Sequence, residues 1–357
     1  MNPLPQTRLA SALLPALGNL VSAEKNLLSP FLLPIERQPF PGELEATGLL
    51  TANGRPKPEF QPVLERLAQP ANLVDLRFSA GDQVFQFSLY DAKPGQAAIL
   101  LMNSDDGLLL EYPAEVESIL GGLMQYTGNS LVASFDFQAS LPNGQSLVLA
   151  ALADLRRREV ARAFANLMVT EPQPVTATEA AHWLAECPAN PQWLTALVRQ
   201  TDSGAPDNAQ VQADLSHLAE QGFCKPTSGG FLLAETTLPL ADRLVLIDSM
   251  YSLDAARMGS DNRAEVISLT ALQAGVNDFL QIEFQGAELL WTSLSPVAFL
   301  DQVRYYLENG GGEPANHTTT LIQSAKPQAA LACRQCGSAF SPNARFCPRC
   351  GAPIANE

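Results

Sequence analysis

Apolar positions along the chain follow two alternating rhythms. Residues 97–128, "AAILLMNSDDGLLLEYPAEVESILGGLMQYTG", hold an apolar run, a polar turn, a second apolar run, a proline and a stretch with helical period. That pattern predicts strand, tight turn, strand and helix. Residues 277–309, "NDFLQIEFQGAELLWTSLSPVAFLDQVRYYLEN", repeat the order. Counted from Pro113 and Pro296, Val116 falls with Phe299, Leu120 with Val303, Leu123 with Tyr306 and Met124 with Leu307. Each set makes one helix face, with proline near the first turn, where its missing N–H costs nothing.

The likeness extends upstream. "LEATGLLTANG" from Leu44 and "LAEQGFCKPTSGG" from Leu218 both set a glycine four residues after a leucine, then apolar residues, then a second glycine turn. In the second copy, residues 207–221 predict a helix with Asp207 or Asn208 as cap and Gly222 as terminator, followed by a hairpin over 223–235. Helix, glycine and hairpin outline a winged-helix-like unit. At the N-terminus Leu9, Leu13, Leu17 and Val21 recur at helical spacing and predict an amphipathic helix, while Pro15 and Gly18 weaken any signal-peptide core. "NGGGEPANHTTTLIQSAKPQAA", residues 309–330, has no sustained apolar period and reads as a flexible tether.

The expected fold class is therefore α+β: two pseudo-repeated halves of antiparallel strands plus helices, a flexible linker and a small C-terminal module. The expected boundaries are 1–40 for an N-terminal helical segment, 41–145 for the first half and 146–174 for a connecting helix. The second half takes 175–310, the linker 311–331 and the module 332–357. A hydrophobic fraction of 46% and a mean hydropathy of +0.01 suit a globular chain. No run reaches the roughly 18 uninterrupted apolar residues a membrane-spanning helix needs. A soluble, cytoplasmic protein is expected, since closely paired thiols awaiting a metal favour a reducing compartment.

Charge narrows the partners. The chain carries 37 acids against 22 bases, a net charge of −15. From Lys326 onward there are four bases, Lys326, Arg334, Arg345 and Arg349, and one acid, Glu357, which leaves −18 on residues 1–325. Such a body repels nucleic acid and anionic membranes.

The strongest chemistry is Cys333-x2-Cys336-x10-Cys347-x2-Cys350, four thiolates in two knuckles, which suits one tetrahedral ion preferring sulfur at about 2.3 Å. Gly337 and Gly351 follow the knuckles and let backbone N–H groups turn toward the sulfurs. Phe340 and Phe346 supply most of the packing, so the metal must replace a core. These residues resemble the short bacterial zinc-ribbon family, whose CxxCG and CPxCG knuckles frame one structural zinc. Rubredoxin knuckles, which bind iron, are similar but lie further apart. Four cysteines close the coordination sphere, so no position is left for a catalytic water.

Elsewhere catalytic signals are sparse. His182, His217 and His317 have no second ligand at helical spacing, and phosphate-cradling, nucleophile-elbow, zinc-protease and dinucleotide motifs are absent. "NSDDG", residues 103–107, reads as a hairpin turn rather than a calcium loop. Cys187 and Cys224 read as small buried hydrophobes. Arg156, Arg157, Arg158 and Arg162 form the densest basic run of the body, expected to be a solvated helix face or a contact for an acidic partner.

Three functions are weighed. A winged-helix and zinc-ribbon regulator would read DNA through 207–221, yet that helix carries Asp207, Asp214 and Glu220 and no Lys or Arg. An enzyme would need a carboxylate pair, for instance Asp75 with Glu111. A non-enzymatic adaptor or chaperone needs only a surface on the body and a second contact on the ribbon. The body, 44–309, also resembles the EspG family of type VII secretion-associated chaperones in its "GLL…LERLAQP…LVDLRF" segment and its duplicated layout. That resemblance implies pseudo-twofold α+β halves that bind secreted client proteins. The expected partner is a protein, with nucleic acid disfavoured for the body and open for the ribbon because of Arg334, Arg345 and Arg349.

Overall fold

Alternating apolar residues in eight long segments build the frame of the molecule. The computed structural model describes residues 6–32, 42–91, 97–104, 107–199, 206–261 and 263–310, and the backbone of 331–332 and 339–340. The chain divides into two units, Met1–Gly312 and Glu313–Glu357.

In the first unit the chain starts with β1 (Thr7–Leu9), α1 (Leu13–Gly18), α2 (Glu43–Ala46) and α3 (Gln61–Ala68). A four-strand meander follows, β2 (Asn72–Ala80), β3 (Gln83–Tyr90), β4 (Ala98–Ser104) and β5 (Gly107–Ala114), then α4 (Val116–Thr127). The next stretch opens with β6 (Gln138–Pro142), α5 (Asn143–Ala165), α6 (Ala177–Glu186), α7 (Leu194–Val198) and α8 (Asn208–Glu220). The hairpin β7 (Cys224–Thr227) and β8 (Gly230–Leu233) and the short α9 (Pro239–Asp242) lead into a second meander. That meander is β9 (Ser249–Met258), β10 (Ala264–Ala274), β11 (Asp278–Gln285) and β12 (Glu288–Leu294), closed by α10 (Pro296–Asn309).

The architecture is mixed α and β around one ten-stranded antiparallel sheet, ordered β1-β5-β4-β3-β2-β9-β10-β11-β12-β6. Matching β6 to β1 and β9 to β12 with β2 to β5, the order reads the same from either edge. The middle of the sheet is the β2–β9 pair, with Val74 opposite Ala255, Asp75 opposite Asp254 and Leu76 opposite Leu253.

Period-two alternation sends side chains to two different cores. On one face Val74, Leu76, Phe78, Tyr251, Leu253 and Ala255 pack beneath α4 and α10. Rings of four elements meet there: Phe78 and Tyr251 stack at 4.8 Å, and Phe299 lies 4.9 Å from both Tyr251 and Phe279. Each such pair adds about 0.5–1.5 kcal/mol beyond the area it buries. The opposite face carries two helical clusters. Ile99, Leu101, Leu110 and Tyr112 pack on α1 and α3, and Leu272, Leu280, Ile282 and Trp291 pack on α5 and its neighbours.

Three local expectations need correction. The N-terminal apolar period is not one helix: Leu9 sits in an edge strand and α1 spans only Leu13–Gly18, although Leu9, Leu13, Leu17 and Val21 are all buried. Pairing of β1 with β5 requires Gly107, where a Cβ would stand 2.5 Å from the Leu9 carbonyl oxygen. Pro113 belongs to β5, and α4 begins at Val116 after the N-cap Glu115, whereas Pro296 does open α10. Met124, expected on the buried face with Leu307, is 46% exposed, and Thr127 takes the buried place at the helix end.

The helix expected to connect the halves is the centre of a core. Residues 146–154 of α5 are buried on every side, as a helix apolar all round must be. It contacts α6, α7, α8 and α9. The hairpin of β7 and β8 follows α8 across Gly222, whose φ of +85° reverses the chain.

Candidate functional site

Two places on the first unit gather polar or reactive side chains, and the first lies at the middle of the sheet. Asp75 and Asp254 stand opposite one another on β2 and β9. Their strand neighbours point under α4 and α10, so both carboxylates project from the other face, between the two helical clusters. The Ser88 hydroxyl donates to Asp75, and the Ser268 hydroxyl donates to Asp254 at 2.5 Å. Burial pushes the Asp75 carboxyl up, the Ser88 bond draws it back and the facing Asp254 charge raises it again. Glu111, the carboxylate considered with Asp75, stands opposite Leu100, whose side chain joins the core under α4 and α10. The two acids therefore lie on opposite faces and cannot act on one substrate.

The second place is a cleft of about 470 Å³ on the α5 cluster. Its walls are the C-terminal half of α5, α6, β8 and the extended segment 172–175. Leu152, Leu155, Trp183, Phe231, Leu233 and Leu238 form its apolar lining, and Glu159, Glu179, His182 and Glu186 line it beside three arginines. Each wall is fixed by a specific bond. Val175 and Phe231 exchange both backbone hydrogen bonds at 2.9 Å. Helix α6 starts in a capping box, with the Glu179 N–H donating to Thr176 Oγ1 at 3.2 Å and the Thr176 N–H donating to Glu179 Oε2 at 2.8 Å. Trp183 is held by its indole N–H, which donates to Thr195 Oγ1 at 3.1 Å.

The arginine run divides at this cleft. Arg156 and Arg157 are not on a solvated face: they are 9% and 1% exposed. Arg156 is paired with Glu159 at 3.0 Å and Asp242 at 3.1 Å, and also donates to the Thr170 carbonyl. Arg157 is buried against Asp154 at 2.6 Å, and its Nε donates to the Leu244 carbonyl. Asp154 in turn accepts the backbone N–H groups of Leu194 and Thr195 at the start of α7. Arg158 and Arg162 are different. Both line the cleft, and neither has a carboxylate within 4.0 Å among the described residues. Arg158 lies 5.0 Å above the Trp183 ring, and burial and the Arg162 charge lower its pKa while the Glu179 charge partly offsets them.

Past Arg162 the chain does something that the sequence reading missed. Phe164, Leu167, Met168 and Val169 are 80%, 96%, 68% and 97% exposed, a ridge of four apolar side chains. The chain continues from this ridge into Pro172 on the wall of the cleft. The run "FANLMV" carries the signal, because it is apolar without continuing the period of α5.

Other candidates are plain. Contrary to the expectation of no second ligand at helical spacing, His182 pairs with Glu186 four residues on at 3.2 Å and His217 with Glu220 three residues on at 3.4 Å, all exposed. Burial raises the thiols of Cys187 and Cys224 to about 11, so both stay protonated and packed. Among the described residues no three His, Cys, Asp or Glu side chains gather to hold a metal ion, and no helix is long and apolar enough to cross a membrane. Cys333, Cys336, Cys347, Cys350 and His317 lie outside the described residues. In the second unit, strand Leu331–Ala332 pairs with Ala339–Phe340. A scan against protein-family models and a search of curated proteins both return no match to this chain.

Proposed function

We propose that the protein is a non-enzymatic, protein-binding adaptor or chaperone that docks a partner on the α5 cluster and carries one structural zinc in its C-terminal ribbon. The observation that carries this reading is the exposed ridge of Phe164, Leu167, Met168 and Val169 beside an apolar cleft. Four exposed apolar side chains within six residues are costly to leave in water, and larger apolar patches of this kind mark protein interaction sites. The repeated strand order supports an internal duplication, and with it the chaperone type implied by the EspG-like layout, a sheet of two halves that holds a client. The helix, glycine and hairpin of α8 to β8 keep a winged-helix-like outline, but α8 offers no Lys or Arg for phosphates. Zinc is assigned on the spacing of Cys333, Cys336, Cys347 and Cys350, which are the four ligands in this reading.

The test is capture of partners from source cells by three forms of the protein: the full chain, a chain ending at Ala325 and a full chain with Phe164, Leu167, Met168 and Val169 all changed to serine. Substitutions at such exposed positions change stability by about 0.5 kcal/mol or less each, so the fold survives. We expect a protein retained by the first two forms and lost by the third. A partner kept by the serine variant and lost with the tail would place recognition on the ribbon and overturn the reading.

A further inference from the structure

We infer that the cleft recognises an apolar peptide segment carrying carboxylates, with Arg158 and Arg162 as the charge-reading pair. The inference rests on the reading of the α5 cluster as the docking site. Three features of the molecule carry it.

First, the cleft lining balances three arginines with three glutamates, but two of the arginines are left without a direct partner. Glu159 pairs with Arg156, Glu186 with His182 and Glu179 with the Thr176 capping box, which leaves Arg158 and Arg162 with no carboxylate within 4.0 Å among the described residues. They also oppose one another, since the Arg162 charge lowers the Arg158 pKa. Two neighbouring cations without an ion pair are relieved by an anion, and guanidinium groups bind carboxylates through paired hydrogen bonds. Glu179 attracts Arg158 from beyond ion-pair distance, while its carboxylate accepts the hydrogen bonds of the Thr176 capping box.

Second, the floor is apolar and large enough for several side chains. A volume of about 470 Å³ lies within the range of ligand sites. Leu155, Trp183 and Phe231 beneath the arginines can take the anchors of an amphipathic helix or extended strand. Third, the ridge at 164–169 lies outside the cleft, where a small acid filling the floor would leave it bare. A polypeptide can cover both. An anionic membrane also fits poorly, because the rest of the unit would be repelled by it.

The experiment titrates the full-length protein into two fluorescein-labelled amphipathic peptides with leucines at i, i+3, i+4 and i+7. One peptide has glutamates flanking the leucines, and the other has glutamines. We expect the glutamate peptide to bind at least about tenfold more tightly, with the advantage lost in Arg158→Gln/Arg162→Gln and weakened by added salt. Arg162→Gln alone, at an exposed position with no intramolecular ion pair among the described residues, gives a second variant whose folding is not in question. Equal binding of both peptides would overturn the charge-reading inference while leaving the docking site standing. Binding of neither peptide, or displacement of the glutamate peptide by dodecanoate from a floor that ignores the ridge serines, would overturn it as well. Failure of the docking reading itself is seen separately, as capture that survives the ridge variant.

Discussion

At the scale of single residues, the buried Asp154–Arg157 pair decides whether the candidate site exists. Both side chains are removed from water, at 0% and 1% exposure, so each needs the other. Asp154 also holds the start of α7 through the N–H groups of Leu194 and Thr195, and Arg157 ties α5 to the carbonyl of Leu244. Removing one member leaves a buried, uncompensated charge, which costs about 3–5 kcal/mol. We expect that cost for Asp154→Ala in urea unfolding, and a double variant with Arg157→Met that is less damaged than the sum of the two single changes. A loss below about 1 kcal/mol for Asp154→Ala would show that the pair does not organise the cluster. The sequence showed the arginine run but not its division. Neighbours on a helix point about 100° apart, so four arginines over seven positions cannot share one face. Arg156 and Arg157 turned inward because Asp154, Glu159 and Asp242 were there to meet them. Asp242 comes from a distant stretch of chain, and no local pattern announces it.

At the scale of elements, the lip of the cleft depends on a backbone approach that only glycine permits. Gly230 has φ of +132°, and a Cβ there would lie 2.4 Å from the Val175 carbonyl oxygen. Val175 and Phe231 could then not keep their paired hydrogen bonds, and the segment 172–175 would swing off β8. We expect Gly230→Ala to cost about 1–3 kcal/mol and to weaken partner capture in parallel. Unchanged stability, within about 0.5 kcal/mol, would mean that the lip is held by other contacts. Strands and helices were legible where a long period recurred, as in β4 to α4 and β11 to α10. The exceptions have physical reasons. At the N-terminus Leu9 satisfies an edge strand because Thr7, Arg8 and Leu9 find partners on β5, a distant pairing that a helical spacing cannot reveal. Met124 is exposed because the α4 face that meets the sheet runs through Leu120, Leu123 and Thr127. The first half of α5, buried on every side over 146–154, has no informative period, and its place at the centre of a cluster follows only from the elements around it.

At the scale of the molecule, the sheet is continuous through the β2–β9 pair, so the two meanders form one rigid frame with different decoration at each end. Short elements cover the β1 side, while the β6 side carries the helical cluster with the cleft and the ridge. This asymmetry confines the cleft and the exposed ridge, and with them the docking surface proposed above, to one half, and it was not visible in a sequence that showed both halves as similar. The zinc-ribbon reading rests on the spacing of four cysteines alone, because metal spacing is local, and those cysteines lie outside the described residues. The cleft was not, because its walls come from α5, α6, β8 and 172–175 and meet only in the fold. The most direct measurement is amide hydrogen exchange of the full-length protein alone and with its captured partner. The account expects slowed exchange over 155–175 and over β8, with the β1 side and the α4–α10 face unchanged. Protection confined to α4 and α10, or to the cysteine-bearing tail, with none over 155–175, would contradict it.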